Sequence, residues 1–206
     1  AICFAFQFNA TSQVLVPDTF FEQALLDFSI DTDGLLNGQI SNADAEAVSG
    51  TLSLINRNIV NFTGIEGFLN IDGLNVSYNA GATSLDISSN SNITFVSVEG
   101  CLLLTTLTTT GLILLDEIQA VQAGLTALDV STPKALTTLN VRQNRIVDLN
   151  LTSNASLVSI NVRDQTGGVL TGLDIRNGSN ATVTGFNSDF NGNLTCIFVD
   201  DTTEPN

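Results

Sequence analysis

The sequence predicts a single curved solenoid of about seven coils, an α/β-repeat fold dominated by β-structure with a helical N-terminal cap. Two observations predict this class. Pairs of apolar residues two positions apart recur at intervals of 21 or 22 residues, with a last interval of 26, and a fixed period of this length is typical of repeat proteins. Helical spacing of apolar residues, by contrast, is confined to the chain before about Val48.

Composition restricts the classes of function. The 206 residues are 43% hydrophobic, which suffices for one sizeable core, and carry 6 basic against 21 acidic residues for a formal charge of −15. A chain this acidic repels phosphate backbones, so nucleic acid is not an expected partner. The absence of histidine excludes His-based catalytic triads and His-ligated zinc sites.

The first segment, residues 1–12, is interpreted as the remnant of a secretory signal peptide. An apolar run from Ile2 to Phe6 is followed by Ala10-Thr11-Ser12, the small-x-small pattern that signal peptidases accept. The alternative is an N-terminal strand, because alternate residues of this run are apolar. No run reaches the ~18 apolar residues of a membrane span. We therefore expect a secreted or cell-surface protein without a membrane span.

Residues 13–51 are predicted to form the helical N-terminal cap. Asp18 can accept hydrogen bonds at a helix N-terminus, and Phe21, Leu25 and Phe28 follow at helical spacing. A turn and a second short helical stretch, ending near Val48, come next.

Residues 52–199 carry the repeats, and residues 200–206 are expected to be a C-terminal tail or linker. The apolar pairs are Leu52/Leu54, Leu74/Val76, Val96/Val98, Ile118/Ala120, Leu139/Val141, Ile160/Val162 and Phe186/Ser188. Each pair predicts a short strand whose alternate side chains enter the core. The last coil is expected to cap the array.

A second set of positions follows each strand. Three residues after each pair stand Asn79, Cys101, Ala123, Asn144, Gln165 and Asn191. An amide at this slot is expected to point inward and bond the backbone of adjacent coils, whereas Ala123 can form no such bond. The segments that begin at Leu85, Leu128, Leu149 and Leu173 alternate as "LDIS", "LDVS", "LNLT" and "LDIR", which predicts further short extended segments on the opposite side.

These features resemble a known family. The chain is similar to secreted bacterial leucine-rich-repeat proteins of the short type with the consensus LxxLxLxxNxLxxLDLxxNxx, sometimes called IRREKO. The resemblance covers about Leu52 to Val199 and is closest at "LTTLNVRQNRIVDLNL", residues 136–151. "VPDTFFEQALLDFSIDTDG" resembles the cap helix before such arrays, and "NGNLTCIFVDD" resembles their ending. The resemblance implies a binding scaffold without enzymatic machinery.

The strand residues between core positions are expected to face outward on the concave side. Arg142 and Arg163 hold the same slot on consecutive coils, with Arg145 close by, so three of six basic residues converge on one patch. This pair could clamp a carboxylate or sulfate. The alternative is that they pair with Asp148, Asp164 or Asp189. The remaining candidate ligand-binding residues on this face are Asn140, Asn161, Gln119, Glu99 and Tyr78.

The stretch "DTDGLLNGQISNAD" raises the possibility of calcium binding through Asp31, Asp33 and Asn37. With Asp33 as the first loop position, Gly38 is sixth and Asp44 twelfth, as in an EF-hand loop, but the third position holds Leu35. With Asp31 first, Asp33 is third, but the glycine and the twelfth position are lost. An ordinary turn explains the same residues. No other cofactor is expected.

The sequence thus predicts a monomeric extracellular recognition or adhesion scaffold that binds a protein or polysaccharide on its concave face. One alternative is a carbohydrate-active enzyme that uses Glu99 and Glu117 as a carboxylate pair on the concave face, since such enzymes need two carboxyls within ~10 Å. Another is a purely structural surface spacer.

Overall fold

The computed structural model describes residues 12–200 and forms a β-solenoid. The predicted signal remnant, apart from Ser12, and the predicted tail, apart from Asp200, lie outside the described residues. The helices are α1 (Thr19–Asp27) and α2 (Asn42–Ala47), with single 3-10 turns at Ile65–Gly67 and Asn180–Thr182. The strands are β1 (Gln13–Leu15), β2 (Gln39–Ser41), β3 (Gly50–Ser53), β4 (Ile71–Asn75), β5 (Ser84–Asp86), β6 (Phe95–Ser97), β7 (Thr106–Thr108), β8 (Glu117–Gln119), β9 (Thr138–Asn140), β10 (Asp148–Asn150), β11 (Ser159–Asn161), β12 (Gly172–Asp174), β13 (Gly185–Asn187) and β14 (Ile197–Phe198).

One strand from each coil joins a parallel, seven-stranded concave sheet in the order β3-β4-β6-β8-β9-β11-β13. Its register places the first apolar residue of every predicted pair in a single row across the sheet. That row consists of Leu52, Leu74, Val96, Ile118, Leu139, Ile160 and Phe186. The predicted repeat and its strand positions are therefore confirmed.

The core lies between this sheet and the back of the coils. The first six members of the row are at most 3% exposed, because each is covered by the coils on either side. Phe186 is 42% exposed, and Phe198 on the back is 48% exposed. A repeat that caps an array needs a polar outer face, whereas the last coil exposes these two phenylalanines. The expectation that the last coil caps the array therefore stays a prediction.

The slot that follows each strand behaves as predicted where it holds an amide. Asn79 Nδ2 donates to the carbonyls of Leu54 and Val76, and its Oδ1 accepts from the backbone N–H groups of Arg57 and Ile59. Asn144, Gln165 and Asn191 also bond the coil that precedes their own. Each buried amide thus satisfies backbone groups that would otherwise lack partners.

Cys101 occupies the same slot as a buried thiol. Its Sγ donates to the Val76 carbonyl at 3.3 Å. Burial raises the pKa of the Cys101 thiol to about 11, so the group is a poor nucleophile and serves packing.

A second row of buried amides, on the other side of the core, was not predicted. Asn90 Nδ2 donates to the carbonyls of Ile65 and Phe68. Asn154 Nδ2 donates to those of Val130 and Pro133. The signal was present in the sequence, because each asparagine follows the leucine of "LDIS" or "LNLT" by five residues.

The back of the solenoid is less regular than the concave sheet. Strands β5 and β7 form one ladder, and β10, β12 and β14 form another. The prediction of an extended ladder segment at Leu128 is wrong, since residues 128–130 form no strand. The sequence of this segment alternates like those at Leu85, Leu149 and Leu173. A strand also requires a neighbouring segment to pair with, and the sequence of the segment alone does not show whether one is present.

The cap contains the predicted helices and an antiparallel pair, β1–β2, that was not predicted. Asp18 Oδ1 accepts from the N–H groups of Phe20 and Phe21, which caps α1. Asp18 Oδ2 accepts from Val60 and Asn61 of the first coil, both at 2.9 Å. One carboxylate therefore fixes the helix and ties it to the repeats. None of the helices in the described part of the chain is long and apolar enough to cross a membrane.

Candidate functional site

The concave face ends in a rim where every coil turns. The residue just before each inward slot has a positive φ in all seven coils. These residues are Asn56, Tyr78, Gly100, Gln122, Gln143, Asp164 and Phe190. Their side chains line one edge of the sheet, next to the outward residues of the strands.

Arg142 and Arg163 occupy equivalent positions on adjacent coils. The N–H of Gln143 donates to the Arg163 carbonyl at 3.0 Å, which fixes their register. The two salt bridges in residues 12–200 join Arg57 to Asp27 and Arg176 to Asp174. Neither Arg142 nor Arg163 therefore forms an ion pair with Asp148, Asp164 or Asp189, and charge balance by direct pairing is not observed. We refer to Arg142 and Arg163 as the arginine pair.

Arg163 is held against the rim. Its guanidinium carbon lies 4.6 Å from the centroid of the Phe190 ring, a cation–π contact. Its Nε is buried and has no hydrogen-bond acceptor among residues 12–200. An acceptor for this donor would be favourable, because a buried polar group without a partner is destabilising.

Arg145 comes three residues after Arg142. The chain turns at Gln143, whose φ is 60°, and Arg145 follows the inward slot of Asn144. Its side chain is exposed, and its backbone N–H donates to the Leu125 carbonyl. That its side chain joins the predicted patch stays a prediction.

The amides beside the pair form a network. Asn140 Nδ2 donates to Gln119 Oε1 at 2.9 Å, and Gln119 Nε2 donates to Glu117 Oε1 at 2.8 Å. Asn140 Oδ1 is buried without a partner in the described chain. Asn161 Oδ1 accepts from the N–H of Arg163. Gln119 and Asn140 thus form a connected polar strip, whereas the Asn161 carbonyl is used to hold the backbone.

Tyr78 and Glu99 form a separate contact on the same face. Tyr78 Oη donates to Glu99 Oε1 at 3.0 Å. The pKa of the Tyr78 phenol is raised because its proton is held by this hydrogen bond and by the Glu99 charge. The ring lies over Gly100, where a Cβ would come within 2.6 Å of Tyr78 Cδ1.

Glu99 and Glu117 belong to adjacent coils of the concave face, and their carboxylates bond different neighbours. The register places Glu117 opposite Phe95, four residues before Glu99. At ~3.3 Å per residue the two backbone positions are about 13 Å apart along the strands. Each carboxylate is also engaged, Glu99 by Tyr78 and Glu117 by Gln119. Their use as a catalytic pair therefore stays an untested alternative.

The loop that contains Asp31, Asp33 and Asn37 is rich in internal hydrogen bonds. Asp33 accepts from the Leu35 N–H and from Asn37 Nδ2, and Asp44 accepts from the Thr32 hydroxyl. Within residues 12–200, no three Asp, Glu, Cys or His side chains already form a group that could hold a metal ion. The turn explanation therefore accounts for these side chains, including Asp31 Oδ1, which accepts from the Asp33 N–H at 3.4 Å, but it leaves Asp31 Oδ2 without a partner in the described chain.

A crevice of about 470 Å³ opens on the back of the solenoid, next to the segment that lacks a strand. Its walls include Asp129, Asp148, Asp174 and Phe198. The guanidinium of Arg176 binds Asp174 and stacks on Phe198, which partly neutralises this wall. The pKa of Asp174 is lowered by that hydrogen bond. The sequence did not predict this crevice.

Comparison with known proteins supports the fold. The functional domain of InlJ from Listeria monocytogenes, described as including a cysteine ladder, matches with a TM-score of 0.61 and 20% identity, over 95% of this chain and 49% of that one. Internalin C2 from the same organism matches with a TM-score of 0.52 and 14% identity, over 90% and 94% of the two chains. This chain spans about half the length of the InlJ structure.

A scan of protein-family models gave no match, and a search of curated proteins gave none. At these identities the structural likeness shows the fold alone. The chain has the fold of a leucine-rich-repeat solenoid.

Proposed function

We propose that the protein is an extracellular recognition module that binds the acidic groups of a protein or polysaccharide partner on its concave face. The observation that carries this proposal is the arginine pair. Arg142 and Arg163 stand side by side on consecutive coils, and neither forms a salt bridge within residues 12–200. Two unpaired guanidinium groups at this spacing suit a carboxylate or sulfate.

The scaffold supports the proposal in a second way. Each coil contributes outward side chains from a strand whose backbone is fixed by its neighbours, so the face is preorganised. A rigid extended surface of exchangeable side chains is what repeat solenoids use for recognition. Preorganisation reduces the entropy lost on binding.

The polar strip beside the pair supports selectivity. Asn140 Oδ1 and Arg163 Nε are buried polar atoms without partners in the described chain. A ligand that offers both a donor and an acceptor, such as a carboxylate next to a hydroxyl or an amide, suits a face that presents guanidinium and amide groups side by side. A simple anion satisfies only the arginine.

The secreted location is proposed from the sequence. Residues 1–12 end in the pattern of a signal-peptidase site, and the repeat resembles that of secreted bacterial proteins of the IRREKO type. We also propose a non-enzymatic role, because Glu99 and Glu117 lie on different parts of the face.

An array of acidic, neutral and basic peptides and oligosaccharides tests the proposal. We expect the wild type to bind acidic probes, and the Arg142→Ala/Arg163→Ala variant to lose about 30-fold to 1000-fold in affinity, which corresponds to ~2–4 kcal/mol. The matched control is Lys134→Ala/Arg176→Ala, which removes the same charge from the back of the coils. The proposal fails if both variants bind acidic probes like the wild type, or if the wild type binds none.

A further inference from the structure

The N-terminal cap has the layout of a helix–loop–helix calcium motif. Helix α1 ends at Asp27, and α2 begins at Asn42 after the N-cap Ser41. Between them, Ile40 lies in β2 and pairs with Val14 of β1. In EF-hand loops the residue at the eighth position, commonly isoleucine, lies in such a short extended segment just before the second helix.

The loop residues match the EF-hand ligand positions if Leu35 and Leu36 are treated as a two-residue insertion. EF-hand loops place oxygen ligands at positions 1, 3, 5, 7 and 12, with glycine at position 6. If Leu35 and Leu36 are an insertion, Asp31 and Asp33 fall at positions 1 and 3. The remaining positions then fall at Asn37 (5), Gly38 (6), Gln39 (7, backbone carbonyl), Ile40 (8) and Asp44 (12).

Two structural facts support this alignment. Gly38 has a φ of +83°, the left-handed conformation that a glycine at the sharp turn of the loop provides. Leu35 and Leu36 are 60% and 53% exposed, so they extend into solvent as an insertion would. Neither starting point that the sequence offered, Asp33 or Asp31, accommodates all of these residues without the insertion.

Asp31 is the independent observation that points to a ligand. It is only 4% exposed, and its Oδ2 has no hydrogen-bond partner among residues 12–200. Its Oδ1 accepts one long hydrogen bond, from the Asp33 N–H at 3.4 Å, and burying a carboxylate with so few partners is costly. The charged groups that face it are the carboxylates of Asp33, Glu22 and Asp44, and no salt bridge in the described chain involves any of them.

We propose that this loop binds a calcium ion through the carboxylates of Asp31, Asp33 and Asp44, the side-chain oxygen of Asn37 and the backbone carbonyl of Gln39. Calcium takes six to eight oxygen ligands of these types. The three carboxylates do not yet converge. Asp33 accepts from Asn37 Nδ2 at 2.8 Å, and Asp44 accepts from the Thr32 hydroxyl at 3.0 Å. Calcium replaces these two side-chain bonds.

Glu22 prepares the loop and is not one of the ligands. Its side chain is buried, and its Oε1 accepts from the backbone N–H groups of Asn37, Gly38 and Gln39. These bonds hold the segment that carries positions 5 to 7. Aspartate at position 12 is shorter than the usual bidentate glutamate, so we expect a Kd of about 10⁻⁴ to 10⁻³ M, the range of extracellular calcium modules.

The test measures the melting temperature and calcium binding of the full chain. In 10 mM CaCl₂, after dialysis against EDTA, we expect the wild-type Tm to rise by roughly 5 °C, and MgCl₂ to have less than half this effect. Isothermal titration with CaCl₂ should give one site. Asp31→Asn should fold without calcium, because it removes a buried charge among like charges, and its Tm should not respond to calcium.

The matched control is Asp72→Asn, an exposed carboxylate in β4 outside the cap, which should respond to calcium as the wild type does. The titration of the wild type decides the matter even if Asp31→Asn fails to fold. The proposal is overturned if the wild type shows no binding heat below 10 mM calcium, or if calcium and magnesium raise the Tm equally. It is also overturned if Asp31→Asn still responds to calcium. The site does not depend on the function proposed for the concave face.

Discussion

Asn144 Oδ1 accepts a 3.1 Å hydrogen bond from the backbone N–H of Ala123, the residue that holds the equivalent slot one coil earlier. The same oxygen accepts from Leu125, and Asn144 Nδ2 donates to Ala120. The coil of Ala123 is therefore held by its successor. An amide at position 123 would bond the backbone of the preceding coil, which contains Cys101. Alanine cannot make these side-chain hydrogen bonds, so that coil lacks them.

Replacement of Asn144 by alanine should be strongly destabilising. It leaves several buried backbone groups without partners, so we expect a loss of about 3 kcal/mol in the free energy of unfolding. Chemical denaturation followed by circular dichroism measures the change. Asn193→Ala is the matched control, because Asn193 is exposed and makes no side-chain hydrogen bond with residues 12–200. Equal stability of the two variants would contradict the role of the slot.

Gly100 should not tolerate a side chain. Its φ is +69°, and a Cβ would meet the Tyr78 ring. We expect Gly100→Ala to lower the free energy of unfolding by about 1–3 kcal/mol. Gly192→Ala should have almost no effect, since a Cβ there meets no atom within 4 Å and Gly192 is not among the residues with positive φ. A denaturation series on the two variants distinguishes these outcomes.

Tyr78 offers a direct spectroscopic readout, because it is the only tyrosine and there is no tryptophan. Absorbance at alkaline pH should show its phenol ionising above the usual pKa, since Glu99 accepts a hydrogen bond from the phenol and its negative charge disfavours the phenolate. Because the folded-state pKa is raised, this contribution to stability is present below the unfolded pKa of about 10 and is lost as pH rises through the folded value. Glu99→Gln should shift the titration towards lower pH; an unchanged curve would contradict the contact.

The two described cysteines should differ in reactivity. Cys101 is buried and its pKa is raised to about 11, whereas Cys196 is exposed. Alkylation at pH 8, mapped by mass spectrometry, should label Cys196 in the native protein and Cys101 only after denaturation. Labelling of native Cys101 at the rate of Cys196 would show that the third coil opens easily.

The rows of buried residues on the concave strands could be predicted from the sequence, because they follow from the repeat of 21 or 22 residues. Leu74 and Val96 pair because they stand 22 residues apart, and Asp18 caps α1 because it directly precedes the helix. The second amide position is less regular, because Asn90 and Asn154 are separated by two coils that hold Leu112 and Pro133 there.

Other features depended on packing between coils. Arg163 stacks on Phe190 because the pairing of β11 with β13 brings the rim of the last coil beside it. The interruption at Leu128 could not be predicted from its own residues, because "LDVS" matches the segments that do form strands. The β1–β2 pairing joins segments about 25 residues apart, with helix α1 between them, so no two-residue hairpin turn fixes their register.

The central claim is that Arg142 and Arg163 form an anion-binding pair, and the Nε–H signals of the arginines in a ¹H–¹⁵N correlation spectrum test it directly. The chain has five arginines, so each signal can be assigned by single substitution. On titration with glutarate or inorganic sulfate, the signals of Arg142 and Arg163 should shift together and saturate. Those of Arg57 and Arg176, already paired with Asp27 and Asp174, should stay in place. Small, equal and unsaturated shifts of all five would contradict the account.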